Sequence, residues 1–136
     1  MNRHGNKVVI DGHNAAYLQA PRERRPIITN ILKIADALEA SGHDPVIIFD
    51  PSIRPLLADV EDLEALLSDP RVIAVPSGKE MSRFVLETAE RLNAFVVSND
   101  TYAEYSDDYS WINERRIPIA IVNGAVLLIH KIKTAS

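Results

Sequence analysis

The stretch PVIIFD, residues 45–50, decides the fold. An apolar run continues from Pro45 to Phe49 without a polar break and stops at Asp50. A half-buried strand would alternate, so an uninterrupted run predicts a strand buried on both faces, as in a parallel sheet. The pattern recurs outward from there. Lys7–Asp11 is a β-rich run ending in Asp-Gly, and RVIAV (71–75) and AFVV (94–97) read as further strands. Helical spacing separates them. Residues 26–41 carry Ile28, Ile31, Leu32, Ala35 and Leu38, and Gly42 marks the stop. Residues 58–68 carry Val60, Leu63, Leu66 and Leu67; residues 79–92 carry Phe84, Val85, Ala89 and Leu92. A short helix is expected over 108–115, around Trp111. IPIAIV and AVLLI flank Asn123-Gly124, a strong hairpin signal. Strand-helix alternation predicts an α/β domain of three layers, with a mainly parallel central sheet and a C-terminal hairpin, perched at one edge.

Composition bounds the function. The chain has 136 residues, 46% hydrophobic and 25% charged, which suits one globular domain over 1–136. It has no cysteine, which excludes disulfides, thiolate zinc sites and a cysteine nucleophile. The opening MNRHGNKVVIDG has too short an apolar stretch for a signal peptide. The most apolar segment, IPIAIVNGAVLLI, is too short to span a membrane. The expectation is a soluble, cytoplasmic protein. A net charge of −4 argues against a dedicated duplex-DNA binder but is compatible with a nuclease that combines an acidic site and a local basic rim. PRERRP supplies Arg22, Arg24 and Arg25; a solvated loop is the other reading of that cluster.

The acids fall at strand ends. Asp11 ends the first strand, Asp50 the second, and Asp100 follows the fourth. In an open parallel sheet, ligands bind at the carboxyl ends of the strands, so these acids can converge. Glu104 at i+4 from Asp100 would share a helix face with it. Clustered carboxylates repel unless a cation neutralises them, and hard oxygen ligands suit Mg²⁺ or Mn²⁺. Structural readings stand beside these. Asp11-Gly12 makes a turn, and Asp50-Pro51-Ser52 an Asx-turn or helix start. TYAE (101–104) and SGKE (77–80) match capping boxes. Among the histidines, His13 beside Asp11 is the one placed to touch a substrate, although a lone histidine is more often structural.

VVIDGHNAAY (8–17) resembles the opening strand of the NYN-domain, regnase-type ribonucleases of the PIN-like nuclease superfamily, where an apolar strand leads into Asp-Gly-Ser-Asn or a close variant. RFVLETAERLNAFVVSNDTY (83–102) is similar to the stretch of those proteins that runs from a helix start to a strand ending in Ser-Asn-Asp. VIIFDPSIRP (46–55) and ERRIPIAIVNG (114–124) fall, in order, on further segments of the pattern. The resemblance implies a Mg²⁺- or Mn²⁺-dependent ribonuclease acting on single-stranded RNA. It makes Asp11 a metal-coordinating acid, Asn14 its polar companion, and Asp100 the acid after the fourth strand. Glu104 takes the place of an Asp one turn later. The pattern also has one or two aspartates at the start of the helix before Arg-Phe, where this chain has Met81-Ser82. Ser82 would then position water or phosphate, with Asp50 as a compensating acid. Glu80 is displaced by two positions, about 200° around a helix. Arg22, Arg24, Arg25, Arg54, Lys79 and Arg83 are the expected phosphate contacts. Whether the chain forms oligomers or belongs to a longer protein is left open. A second reading is a catalytically degenerate RNA-binding or protein-interaction module on the same fold. A third, a receiver-like phosphoacceptor using Asp50, would need paired acids near the first strand and a lysine after a late strand; neither is evident.

Overall fold

The computed structural model describes residues 6–18 and 25–129. Its centre is a five-stranded, wholly parallel sheet in the order β3-β2-β1-β4-β5. The strands are β1 (Lys7–Asp11), β2 (Asp44–Phe49), β3 (Val72–Ala74), β4 (Phe95–Val97) and β5 (Arg116–Ile117). The helices are α1 (Gly12–Ala16), α2 (Ile28–Ala40), α3 (Leu63–Leu67), α4 (Met81–Leu92) and α5 (Ile112–Arg115). A separate antiparallel hairpin, β6 (Ile119–Val122) and β7 (Ala125–Leu128), closes the described chain. No helix among the described residues is long and apolar enough to cross a membrane.

Successive residues of a strand face opposite ways, and here both faces are covered. Val8 and Ile10 of β1 pack with Ile31, Ile34 and Leu38 of α2, whereas Val9 packs with Val85, Leu86 and Ala89 of α4. Ile47 and Phe49 join the first cluster and Ile48 the second. This is the three-layer α/β arrangement expected from the apolar runs. The first two crossovers carry the chain from β1 out to β3; the third, through α4 on the other face, returns it to the far side of β1. Strand order therefore reverses between β1 and β4, which opens a crevice at their carboxyl ends.

Several local expectations are corrected. Asp11-Gly12 is no simple turn but the start of α1, with Asp11 as the N-cap accepting from Asn14 N–H at 3.1 Å. The helix expected over 58–68 shrinks to α3, preceded by 3₁₀ turns at Pro51–Leu56 and Val60–Asp62. IPIAIV is not one strand. Pro118 has no N–H to give a ladder, so Arg116–Ile117 joins the parallel sheet beside β4 and Ile119–Val122 leaves it for the hairpin. The hairpin itself forms as expected, with Asn123 (φ 50°) and Gly124 (φ 79°) supplying its left-handed turn.

Gly12 has a specific reason to be glycine. A Cβ there would lie 2.3 Å from the Ile48 carbonyl oxygen of β2, backbone against backbone. Gly12→Ala must therefore push α1 away from β2. We expect it to destabilise the domain by about 1–3 kcal/mol, read as a lower urea midpoint with an unchanged m-value. A midpoint equal to wild type would mean that α1 is not held against β2.

Candidate active site

The register of β1 beside β4 places Ile10 opposite Val97, so Asp11 and Ser98 leave the sheet side by side. Asp11 is only 4% exposed. A nearly buried carboxylate needs donors, and it has three. Asn14 N–H binds Oδ1; Tyr102 donates its hydroxyl to Oδ2 at 2.5 Å, and Ser98 Oγ donates to the same oxygen at 3.4 Å. Ser98, itself fully buried, also accepts from the Asp100 N–H at 3.1 Å. Asp100 in turn accepts from the Tyr102 N–H at 2.8 Å. Tyr102 thus ties both acids together, Asp11 through its ring hydroxyl and Asp100 through its amide. It does so from a left-handed backbone conformation, φ 53°, with its side chain buried in the α4-side core. Burial, and next the charge of Asp11, push the Tyr102 hydroxyl far above a tyrosine's ordinary pKa, so it stays protonated and remains a donor.

Asn14 and Asn99 complete the frame. Asn14 Oδ1 accepts from the Asn99 N–H at 2.8 Å, joining α1 to the loop after β4. The Asn99 side chain pairs with both backbone groups of Ile119, each at 2.8 Å, and fastens that loop to the hairpin. The acids open on a cleft of about 250 Å³. Asp11, His13, Asn14 and Tyr17 line it from the β1–α1 side, Met81 and Ser82 from the start of α4, and Asp100 from the β4 side.

Other expected site residues lie elsewhere. Asp50 caps the Pro51–Leu56 turn, accepting from the Ser52 N–H at 3.0 Å, and does not line the cleft. Its strand runs straight into a helix start whose free amide claims the side chain. Glu104 is exposed and also outside the cleft. The left-handed Tyr102 breaks the helix that would have put it one turn from Asp100, so the i+4 relation fails and the TYAE capping box does not form. Glu80 does not complete the SGKE box either. It makes no side-chain cap, and instead accepts from the Tyr105 hydroxyl. That bond, and then burial, push the Tyr105 pKa up to about 12. Among the described residues no group of three acidic or histidine side chains is placed to hold a metal.

The basic residues show a similar dispersal. Arg25 donates to the Leu56 and Leu57 carbonyls at 3.3 and 2.8 Å, so it serves as a clamp on the end of a 3₁₀ turn. Lys79 pairs with Glu87 at 3.4 Å. Arg83 lies over the Tyr105 ring and 3.5 Å from Asp108. Arg54 is exposed, and none of these lines the cleft. Arg22 and Arg24 fall outside the described residues.

Residues 4–134 match the family described as Zc3h12a-like Ribonuclease NYN domain. The chain belongs to this family. Comparison with curated proteins gives no match. Among solved structures, two of nuclear protein-only RNase P 2 (PRORP2) from Arabidopsis thaliana share the fold of this NYN domain. One has a TM-score of 0.72 at 17% identity, covering 93% of this chain and 30% of that one. The other has 0.68 at 17%, covering 91% and 29%. This chain therefore spans less than a third of the length of those proteins.

A divalent cation is what such a nuclease family leads one to seek, and the donors can be tested against it. An ionised carboxylate offers about four lone-pair sites. Three at Asp11 are taken, whereas Asp100 Oδ2 has no hydrogen-bond partner among the described residues. Mg²⁺ is commonly held by one or two carboxylates, with water and phosphate completing its shell. The cleft fits that mode and not an all-protein cage.

Tyr102→Phe should lower stability by about 1–3 kcal/mol, since it leaves a buried carboxylate oxygen short of a donor. Equilibrium unfolding in urea measures this. An unchanged midpoint would show that Asn14 and Ser98 suffice to hold Asp11.

Proposed function

We propose that this NYN domain is a single metal-dependent nuclease unit that hydrolyses phosphodiester bonds of single-stranded RNA. One observation carries the reading: Asp11, Asn14, Ser82 and Asp100, drawn from three separate parts of the chain, line one cleft at the point where the strand order reverses. Asp11 and Asp100 would hold Mg²⁺ or Mn²⁺. When bound, the cation supplies positive charge opposite the phosphodiester and polarises water. Asp100 Oδ2, its other oxygen being engaged by the Tyr102 N–H, would be the oxygen that faces the cation. The attacking water's oxygen bonds to phosphorus as the P–O bond to the leaving ribose oxygen breaks, and that oxygen takes up a proton as the water releases one to solvent. Ser82 offers a hydroxyl to a phosphate oxygen. Asn14, its Oδ1 engaged by Asn99, holds α1 in place and keeps its amide Nδ2 as a donor.

A second reading has its own support. At the α4 side of the cleft the family pattern expects a carboxylate, and this chain presents Met81 and Ser82. With Glu80 engaged by Tyr105 and Glu104 outside the cleft, no other acid among the described residues fills the place. A hydroxyl is a weaker, neutral ligand than a carboxylate. The same cleft would then bind RNA without cutting it.

The Ser82→Asp variant decides between them. Mn²⁺ binding, followed by the loss of the free-ion electron paramagnetic resonance signal, should tighten at least tenfold in Ser82→Asp. Cleavage of a fluorescent single-stranded RNA should rise in the same variant. Asp100→Asn should abolish cleavage in both backgrounds. If wild type and Ser82→Asp bind Mn²⁺ alike, position 82 does not face the metal. If neither cleaves RNA across a full Mg²⁺ and Mn²⁺ titration, the binding module is the correct reading.

A further inference from the structure

The cleft has two unlike walls. One is acidic, with Asp11 and Asp100; the other is made by His13, Tyr17 and Met81, and no lysine or arginine among the described residues lines either. Among the described residues the second wall therefore has no cation to hold a phosphate. What it has is flat and neutral. His13 and Tyr17 are four residues apart on one helical turn, closed by the Tyr17 N–H on the His13 carbonyl at 3.2 Å, so their side chains share a face. Tyr17 is 40% exposed and lines the cleft, so its ring has open surface there to offer. His13 Nε2 is buried and has no hydrogen-bond partner. Buried polar atoms are ordinarily paired, so this one lacks a partner, and its residue lines the cleft. Met81, from the start of α4, adds a polarizable thioether, a good surface for an aromatic ring.

We infer that this wall is a nucleobase pocket: an unpaired base of the RNA lies against the Tyr17 ring, near Met81, and its polar edge bonds to His13 Nε2. The inference rests on the proposed function and adds how the substrate is held. It explains a preference for single strands in this chain's own residues, because a paired base is stacked in its helix and has no free face to offer. The cleft volume, about 250 Å³, is below the roughly 300–1,000 Å³ of clefts for drug-sized ligands, and suits one nucleotide unit.

The test measures binding of a labelled single-stranded RNA and of a ribose-phosphate strand of equal length without bases, in EDTA so that neither is cut. Tyr17→Ala should weaken binding of the RNA about tenfold, in the range for loss of one base-aromatic stack. Tyr17→Trp should restore it. The baseless strand should bind wild type and Tyr17→Ala equally. His13→Leu should reduce the spread of affinity among homopolymer RNAs, and His13→Gln, which keeps a polar atom at the same reach, should preserve it. Unfolding midpoints confirm that the variants are folded; Tyr17, being half open, should tolerate the change. If Tyr17→Ala binds RNA like wild type, or weakens RNA and the baseless strand alike, the base pocket is wrong. A wild type that cleaves RNA yet binds both strands equally overturns the pocket and leaves the nuclease standing. A wild type that binds no RNA in EDTA overturns the pocket, and one that in addition cleaves none with Mg²⁺ or Mn²⁺ overturns both.

Discussion

Asp11 sits at the end of the central strand with almost none of its surface open to water. Leaving a carboxylate there without donors would cost several kilocalories per mole, and the surrounding loops are arranged so that it is not left so. Gly12 lets α1 begin at once against β2, which delivers the Asn14 N–H. Ser98 arrives from β4 at the same level of the sheet. Tyr102 folds back through a left-handed turn, a conformation a tyrosine adopts at a cost, and brings its hydroxyl to the same oxygen. The three donors come from two loops, so the charge at Asp11 fixes one loop relative to the other. Asp100 follows from that, because its amide is held by Ser98 and its side chain caps Tyr102.

This organisation needs the strand order. Only where the order turns back on itself do the loops after two neighbouring strands diverge to opposite faces and leave a crevice between them. Here α1 and α2 leave toward one face, and α4 enters from the other. Met81 and Ser82 reach the cleft because α4 packs across β1 and β4 with its first turn at the carboxyl end of the sheet. Asn99 adds a link that the strand order does not supply. Its amide pairs with the Ile119 backbone as a neighbouring strand would, which ties the acid loop to the terminal hairpin and gives the hairpin a stake in the site.

The parts of the fold that could be read from the sequence are those set by repetition. The apolar runs at 8–10, 45–49 and 94–97 report burial on two faces, and two-sided burial leaves little choice but a parallel sheet with helices on both sides. Asn123-Gly124 reports a turn that few other residue pairs make easily. What escaped reading was set by single residues acting at long range. Pro118 divides one apolar run between two sheets. Tyr102 turns a would-be helix into a kink and so removes Glu104 from the company of Asp100. The capping signals at 77–80 and 101–104 were local patterns without the helix starts they announce. In the site, Asp11 and Asp100 stand out by position at strand ends, whereas Ser98 and Tyr102, their partners, carry no spacing signal at all. A serine and a tyrosine beside a strand end are common, and their role exists only once β1 and β4 lie side by side.

The fate of Glu80 shows why counting acids along the chain misleads. It is adjacent to Met81 and within reach in sequence of the position where a carboxylate is expected. Its side chain instead takes the Tyr105 hydroxyl, while Arg83, one turn on, covers the Tyr105 ring and pairs with Asp108. That small network fastens the first turn of α4 to the 3₁₀ turn at Ala103–Tyr105. Drawing Glu80 toward the cleft would strip the tyrosine of its acceptor and loosen the turn that holds Ser82 in place. The acid is therefore committed to positioning the wall of the cleft and is unavailable to the cleft itself. Among the described residues the negative charge facing the cleft reduces to Asp11, largely occupied by its donors, and Asp100, with one oxygen free. On the proposed reading, a cation held there would draw its remaining ligands from water and from the phosphates of the RNA, so metal and RNA would bind more tightly together than either does alone.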